Sequence, residues 1–150
     1  LTFDFVTEVV WERTFEATPF VSRNDVLDLL TRVARDQTQV DRWSESTRIK
    51  LAGSILTALR DFGVLEGRQK KSITRPPLPD ITAEVLLRIL ITEGNRGREV
   101  IEAPAWRLFL RSESEVATAM SQLAQSGRIR FEKVGATVVL DTPAEWEIAA

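Results

Sequence analysis

Residues 112–141 read SESEVATAMSQLAQSGRIRFEKVGATVVLD, and this stretch decides which fold the sequence predicts. Ser112 and Glu115 have the Ser-x-x-Glu spacing of a capping box, in which each side chain satisfies a backbone N–H group at the start of a helix. Apolar residues at helical spacing follow and predict its buried face, namely Val116, Ala119, Met120 and Leu123. The stretch therefore opens with a predicted amphipathic helix.

The second part of the stretch predicts a β-hairpin. Gly127 occupies the position after a helix that prefers left-handed backbone, so the helix is expected to end there with a positive φ angle. Residues 128–134 and 136–141 are strand-like runs hinged at Gly135. The order of the stretch is therefore helix, glycine, hairpin.

The same order occurs earlier in the chain. Ser44 is the predicted N-cap of a helix that ends at Phe62, and Gly63 is expected to end it as Gly127 ends the later one. Residues 64–75 carry the signals of a short hairpin. A helix that runs through glycine into a two-stranded hairpin is the order of a winged helix. The predicted fold is mainly α with small β-hairpins, in two small helical domains that are winged-helix-like, especially in the second half.

The remaining segments complete this prediction. One helix is expected over 1–13 with its apolar face at Phe3, Val6, Val9 and Val10, and Ser22 is the predicted N-cap of a helix over 23–36. The prolines at 76, 77 and 79 place the boundary between an N-terminal domain, 1–75, and a C-terminal domain, 76–150. Residues 81–92 are apolar nearly all round, which predicts a buried helix.

Composition limits the functions that are open to the chain. Its 150 residues, 43% hydrophobic and 28% charged, are typical of soluble globular proteins, and none is His, Cys or Tyr. These absences remove thiolate nucleophiles, imidazole bases and the usual zinc sites. No carboxylate cluster has metal-ligand spacing, so we expect no enzyme activity, catalytic residue, metal or cofactor. The apolar runs are far shorter than the roughly 20 residues that span a bilayer, so we expect no membrane-spanning segment.

Charge is unevenly distributed along the chain. The net charge is −2, yet residues 1–41 hold 4 basic and 8 acidic residues, while residues 42–75 hold 8 basic and 3 acidic ones. A basic segment in an acidic protein indicates a localised anion-binding face, although a solvated surface is the alternative. Winged helices bind DNA through a helix in the major groove. The candidate DNA-binding residues are therefore the cations of the helix that Ser44 begins and of both hairpins, namely Arg48, Lys50, Arg68, Lys70, Lys71, Arg75, Arg128, Arg130 and Lys133.

One acidic residue weakens the case for the second hairpin, and the tryptophans are a separate class of candidate. Arg128 and Arg130 share a strand face that can meet a phosphate backbone, but Glu132 lies on the same face. The four tryptophans are expected in general to be buried in the hydrophobic core. Trp146 is the best candidate for base stacking because it lies in an acidic tail that is expected to be loose.

Several stretches resemble the BrxA family of bacteriophage exclusion (BREX) defence systems. They are WSESTRIKLA (43–52), LRDFGVLEG (59–67), AWRLFL (105–110) and GRIRFE (127–132), and the resemblance covers about Phe5 to Leu140. It implies a small helical protein with N- and C-terminal domains that is cytoplasmic, lacks catalytic activity, binds duplex DNA and supports a complex containing a methyltransferase. The family has long been described as inner-membrane proteins, which disagrees with the hydropathy. Family members carry further helices and a basic region before the equivalent of Phe5, so the resemblance also implies N-terminal truncation.

The leading hypothesis is a non-enzymatic accessory protein of phage defence that binds the phosphate backbone of double-stranded DNA. One alternative is a protein-interaction module that docks other defence-system proteins through its acidic N-terminal helices and exposed tryptophans. Another is an RNA-binding helical bundle. Salt separates the first two, since binding through several phosphates weakens steeply as salt rises.

Overall fold

The computed structural model describes residues 1–68 and 70–148, and of Ile148 only the backbone. The chain divides into two compact units, Leu1–Pro76 and Pro77–Ala150. Helices account for 60% of the structure and strands for 12%, in two small antiparallel sheets, which confirms the mainly α prediction. No helix among the described residues is long and apolar enough to cross a membrane.

The first unit combines helices with a three-stranded sheet. Its elements are α1 (Thr2–Asp4), a π-helix (Phe5–Val10), α2 (Trp11–Arg13), β1 (Phe20–Val21), α3 (Arg23–Asp36), α4 (Thr38–Asp41), α5 (Glu45–Asp61), β2 (Leu65–Glu66) and β3 (Lys71–Ile73). The strand order is β1-β3-β2, so the predicted hairpin is present and gains a third strand from an earlier segment. A core of α3 and α5 residues holds the unit together, including Leu29, Leu30, Ala52, Leu56 and Leu59.

The second unit places a two-stranded hairpin after its longest helices. Its elements are α6 (Asp80–Thr92), α7 (Arg98–Glu102), a 3₁₀ helix (Pro104–Phe109), α8 (Glu113–Gln125), β4 (Arg130–Val134), β5 (Thr137–Asp141) and α9 (Glu145–Ile148). Trp106 is buried in its core and donates its indole N–H to the Val100 carbonyl at 2.7 Å. The winged-helix comparison is compatible with this order and stays a prediction.

The predicted helix caps are confirmed. The hydroxyl of Ser44 accepts the N–H of Thr47 at 3.2 Å, and the N–H of Ser112 donates to the Glu115 carboxylate at 2.8 Å. Gly63 and Gly127 follow α5 and α8 with φ angles of +83° and +75°. After each glycine, the next N–H bonds the carbonyl five residues back, which closes the helix as a Schellman motif does.

Three expectations about burial were wrong. The first helix contains a π-helical stretch, whose i, i+5 register puts Phe5 and Val10 in the core together and leaves Phe3 45% exposed. Helix α6 packs on one side only, so Ile81, Val85 and Ile89 form an exposed stripe at intervals of four residues. Trp146 is not in a loose tail, because α9 carries it into the core of the second unit, where it is 6% exposed.

Candidate nucleic-acid interface

A cleft in the first unit forms where the start of α3 meets the β2–β3 hairpin. Strand β1 pairs with β3 in the register Val21 with Lys71, and α3 begins two residues after β1. The pairing therefore brings the first turn of α3 beside the hairpin turn. The resulting cleft has a volume of about 460 Å³ and is lined by Ser22, Arg23, Asn24, Leu56, Arg68 and Lys71.

Three cations line this cleft, and none of the described residues that line it carries a carboxylate. The guanidinium groups of Arg23 and Arg68 have no ion-pair partner among residues 1–68 and 70–148. The Lys71 ammonium lies 3.1 Å from the carbonyl oxygen of Arg68 and 3.5 Å from that of Gly67. Since an ammonium has three N–H donors, one remains for a ligand. The cleft is thus a concave, positively charged surface.

The acidic residue at the start of α3 does not cancel this charge. One oxygen of the Asp25 carboxylate accepts the Ser22 N–H at 2.7 Å, and the other lies 2.6 Å from a guanidinium nitrogen of Arg13. Asp25 therefore caps its own helix and is paired with a cation outside the cleft. Asp25 therefore does not form an ion pair with the basic side chains of the cleft.

The structure separates the two neighbouring lysines of the hairpin. Lys71 faces the cleft, whereas the ammonium of Lys70 lies over the ring of Phe20, 5.9 Å from its centroid. Phe20 is 40% exposed, so Lys70 and Phe20 together form a second, shallower feature on the surface. Arg75, at the end of the hairpin, is also exposed.

The predicted polar face of α5 is exposed. Thr47, Lys50, Ser54, Thr57 and Asp61 are all solvent-accessible, and the Ser54 hydroxyl donates to the Lys50 carbonyl at 3.0 Å. The Lys50 ammonium has no carboxylate partner in the described part of the chain. This face joins a cation with small hydroxyl side chains that permit close approach of a ligand.

Arg48, the first of the predicted DNA-binding residues, serves the fold of the first unit. Its guanidinium donates to the backbone carbonyls of Val40 at 3.1 Å and Asp41 at 3.3 Å, and the side chain is only 21% exposed. These bonds join the end of α4 to the start of α5. Arg48 is therefore not one of the residues that line the basic cleft.

The predicted cations of the second hairpin are largely engaged within the second unit. Arg128 pairs with Glu84 on α6, whose other oxygen lies 2.8 Å from Arg88. Arg130 lies 3.3 Å from Glu132 and 3.7 Å from Asp141, the residue opposite it on β5. Of the three, Lys133 alone has no ion pair within the described residues. Two of these three cations are therefore paired with carboxylates of the same unit.

Sequence reasoning missed Arg23 and Asn24. Both follow the Ser22 cap that the sequence does reveal, but strand β1 has only two residues and gives no periodic signal. Without that strand, nothing in the sequence places α3 beside a hairpin almost 50 residues later. The Ser22-x-x-Asp25 capping box fixes where α3 begins, and the pairing of β1 fixes what lies next to it.

Comparisons with known proteins give one result. No curated protein and no solved structure matches the chain. The family model named BrxA matches residues 1–89, which is more than half of the chain and includes every residue of the basic cleft. The chain therefore belongs to the BrxA family and is a component of a BREX phage-defence system.

Proposed function

We propose that the protein is a non-enzymatic accessory component of its BREX system that binds double-stranded DNA in the cytoplasm. The observation that carries this proposal is a group of unpaired cations in the first unit, where Arg13, Arg32, Arg48 and Arg60 lie within ion-pair distance of carboxylates but several other cations do not. In the second unit most arginines are ion-paired with carboxylates, namely Arg88, Arg96, Arg98, Arg128 and Arg130. In the first unit, Arg23, Lys50, Arg68, Lys70 and Lys71 have no carboxylate partner among the described residues.

Unpaired cations on several elements suit a polyanion better than a small acid. The cleft, the Lys70 position and the outer face of α5 offer separate contacts, and duplex DNA presents phosphates at regular intervals along both strands. Contacts to phosphates position a protein without reading sequence. We therefore expect non-specific duplex binding, and other BREX proteins to supply any further function of the complex.

The test is fluorescence anisotropy with a labelled duplex of about 25 base pairs over a range of salt concentrations. A protein that neutralises Z phosphates shows a slope of about −0.9Z in log K against log salt. Because the cleft, Lys70 and the outer face of α5 offer three separate contacts, we expect the wild-type chain to show a slope of roughly −3. The double variant Lys50→Glu/Lys70→Glu is expected to bind weakly and with a slope closer to zero by about 2.

Two controls make the result specific. Arg35→Glu reverses an exposed charge on α3 outside the cleft, and Lys133→Glu reverses one on the second hairpin. Both are expected to keep nearly wild-type affinity. A larger effect of Lys133→Glu would place the interface in the second unit, and preferential binding of an RNA duplex of equal length would favour the RNA-binding alternative. Absence of salt-dependent binding to either would contradict the proposal and favour a protein-interaction module.

A further inference from the structure

We infer that the basic cleft of the first unit holds one sugar-phosphate unit, with Arg23, Arg68 and Lys71 bound to the same phosphate group. The inference rests on the proposed function for the identity of the larger ligand, and it assigns a role to Arg23 and Asn24. It also distinguishes the cleft from Lys50 and Lys70, which would meet other phosphates of the same duplex.

Convergence of charge is the first reason. Arg23 comes from α3, Arg68 from the hairpin turn and Lys71 from β3, yet all three line a single cleft of about 460 Å³. Three cations that line one cleft, with no carboxylate among the described lining residues, suit a phosphate group, because a planar guanidinium group binds two phosphate oxygens at once. The start of α3 is already satisfied by its own capping box, so the side chains hold the ligand.

The uncharged lining residues identify the rest of the ligand. Leu56, which is only 4% exposed, closes the floor of the cleft from α5, and Asn24 supplies an amide that both donates and accepts hydrogen bonds. An uncharged floor and an amide beside the cations match a group in which uncharged atoms adjoin the phosphate, as in the deoxyribose of a DNA strand. The volume lies near the lower end of the range for ligand sites, roughly 300–1,000 Å³. One sugar-phosphate unit is the class of ligand that combines these features.

The first experiment uses the whole chain and inorganic phosphate, followed by two-dimensional NMR of backbone amides. Saturable shifts are expected at Arg23, Asn24, Arg68 and Lys71, and none at Gly135 in the turn of the other hairpin. The shifts should vanish in Arg23→Ala/Arg68→Ala, whose fold is verified by its remaining spectrum. Shifts scattered over all exposed cations, or no shifts, would overturn the inference.

The second experiment counts phosphates from the salt dependence of duplex binding. If the three cations share one phosphate, the triple variant Arg23→Ala/Arg68→Ala/Lys71→Ala loses about 0.9 from the slope, whereas three separate phosphates would give a loss of about 2.7. Lys50→Ala is the matched control and is expected to remove a further 0.9 in either background. A loss near 2.7 would refute the shared phosphate while leaving DNA binding intact.

Duplexes with and without terminal phosphates distinguish the two sources of the bound phosphate, which are an internal phosphodiester and a phosphate at the end of a strand. Equal affinity for duplexes with and without 5′-phosphates supports an internal phosphodiester, and a marked preference for 5′-phosphorylated ends supports a terminal phosphate in the same cleft. Localised phosphate shifts without any duplex binding would support the cleft as a phosphate site and contradict the proposed function. The two proposals can therefore fail separately.

Discussion

Arg128 should stabilise the second unit without contributing to DNA binding. Its guanidinium pairs with Glu84, a carboxylate that is 9% exposed and whose other oxygen is held by Arg88 at 2.8 Å. The pair joins the segment before β4 to α6, across 44 positions of sequence. Arg128→Ala removes one of two charged partners from a nearly buried carboxylate, which leaves Glu84 less well compensated.

The magnitude follows from the exposure of the two partners. A hydrogen bond to a charged group contributes about 1.5–3 kcal/mol when it is well protected from water. Arg128 is 47% exposed and Arg88 still compensates Glu84, so solvent screening lowers the expected loss to about 1–2 kcal/mol. For a unit of this size that corresponds to a fall in Tm of roughly 4–16 °C.

The assay combines thermal unfolding with hydrogen exchange, because exchange in the β4 and β5 peptides reports on the second unit alone. Arg130→Ala is the matched control, since its pairs with Glu132 and Asp141 are exposed and should contribute about 0–1 kcal/mol. Duplex affinity should stay unchanged in both variants. If Arg128→Ala lost affinity at unchanged stability, Arg128 would contact DNA and the assignment of the interface to the first unit would be wrong.

Three further substitutions test how local geometry supports the fold. Gly67→Ala should distort the first hairpin and weaken duplex binding in anisotropy, because an added Cβ would lie 2.5 Å from the Lys70 carbonyl oxygen at a φ of +99°. Gly127→Ala meets no atom within 4 Å, so only the left-handed backbone is strained and urea unfolding should show a loss of about 1–2 kcal/mol with duplex affinity retained. Trp106→Phe should cost about 2–4 kcal/mol in the same assay, because it removes core volume and leaves the Val100 carbonyl with only the longer bond from the Ala103 N–H at 3.4 Å; near-wild-type stability would show that the bond at 2.7 Å contributes little.

Local chemistry made the helices and hairpins predictable. Ser44 and Ser112 cap the helices that were expected to follow them, and Gly63 and Gly127 end those helices with positive φ. Each of these signals acts within a few residues, so a single sequence contains all of the necessary information. The domain boundary at the prolines rests on similar local signals.

Burial was harder to predict because it depends on which neighbours cover a face. The apolar surface of α6 extends nearly all round in sequence, yet the second unit covers one side and leaves Val85 about half exposed. Trp146 shows the reverse case. A four-residue helix in an acidic tail brings its ring into the core, where the guanidinium of Arg88 lies 4.6 Å from the ring centroid.

The basic surface of the first unit was predictable in part for a physical reason. Residues 42–75 contain more basic than acidic residues, so the acids of this segment are too few to pair with all of its cations. A count of cations cannot show, however, which of them are bound to carbonyl or carboxylate groups within the folded unit. Arg48 is bound to backbone carbonyls and Arg128 to Glu84, whereas Arg23, from the acidic segment 1–41, is free of ion pairs in the described residues and lines the cleft. The availability of a cation for an anionic ligand is therefore a property of its tertiary partners, and the two-residue pairing of β1 with β3 places Arg23 beside the hairpin.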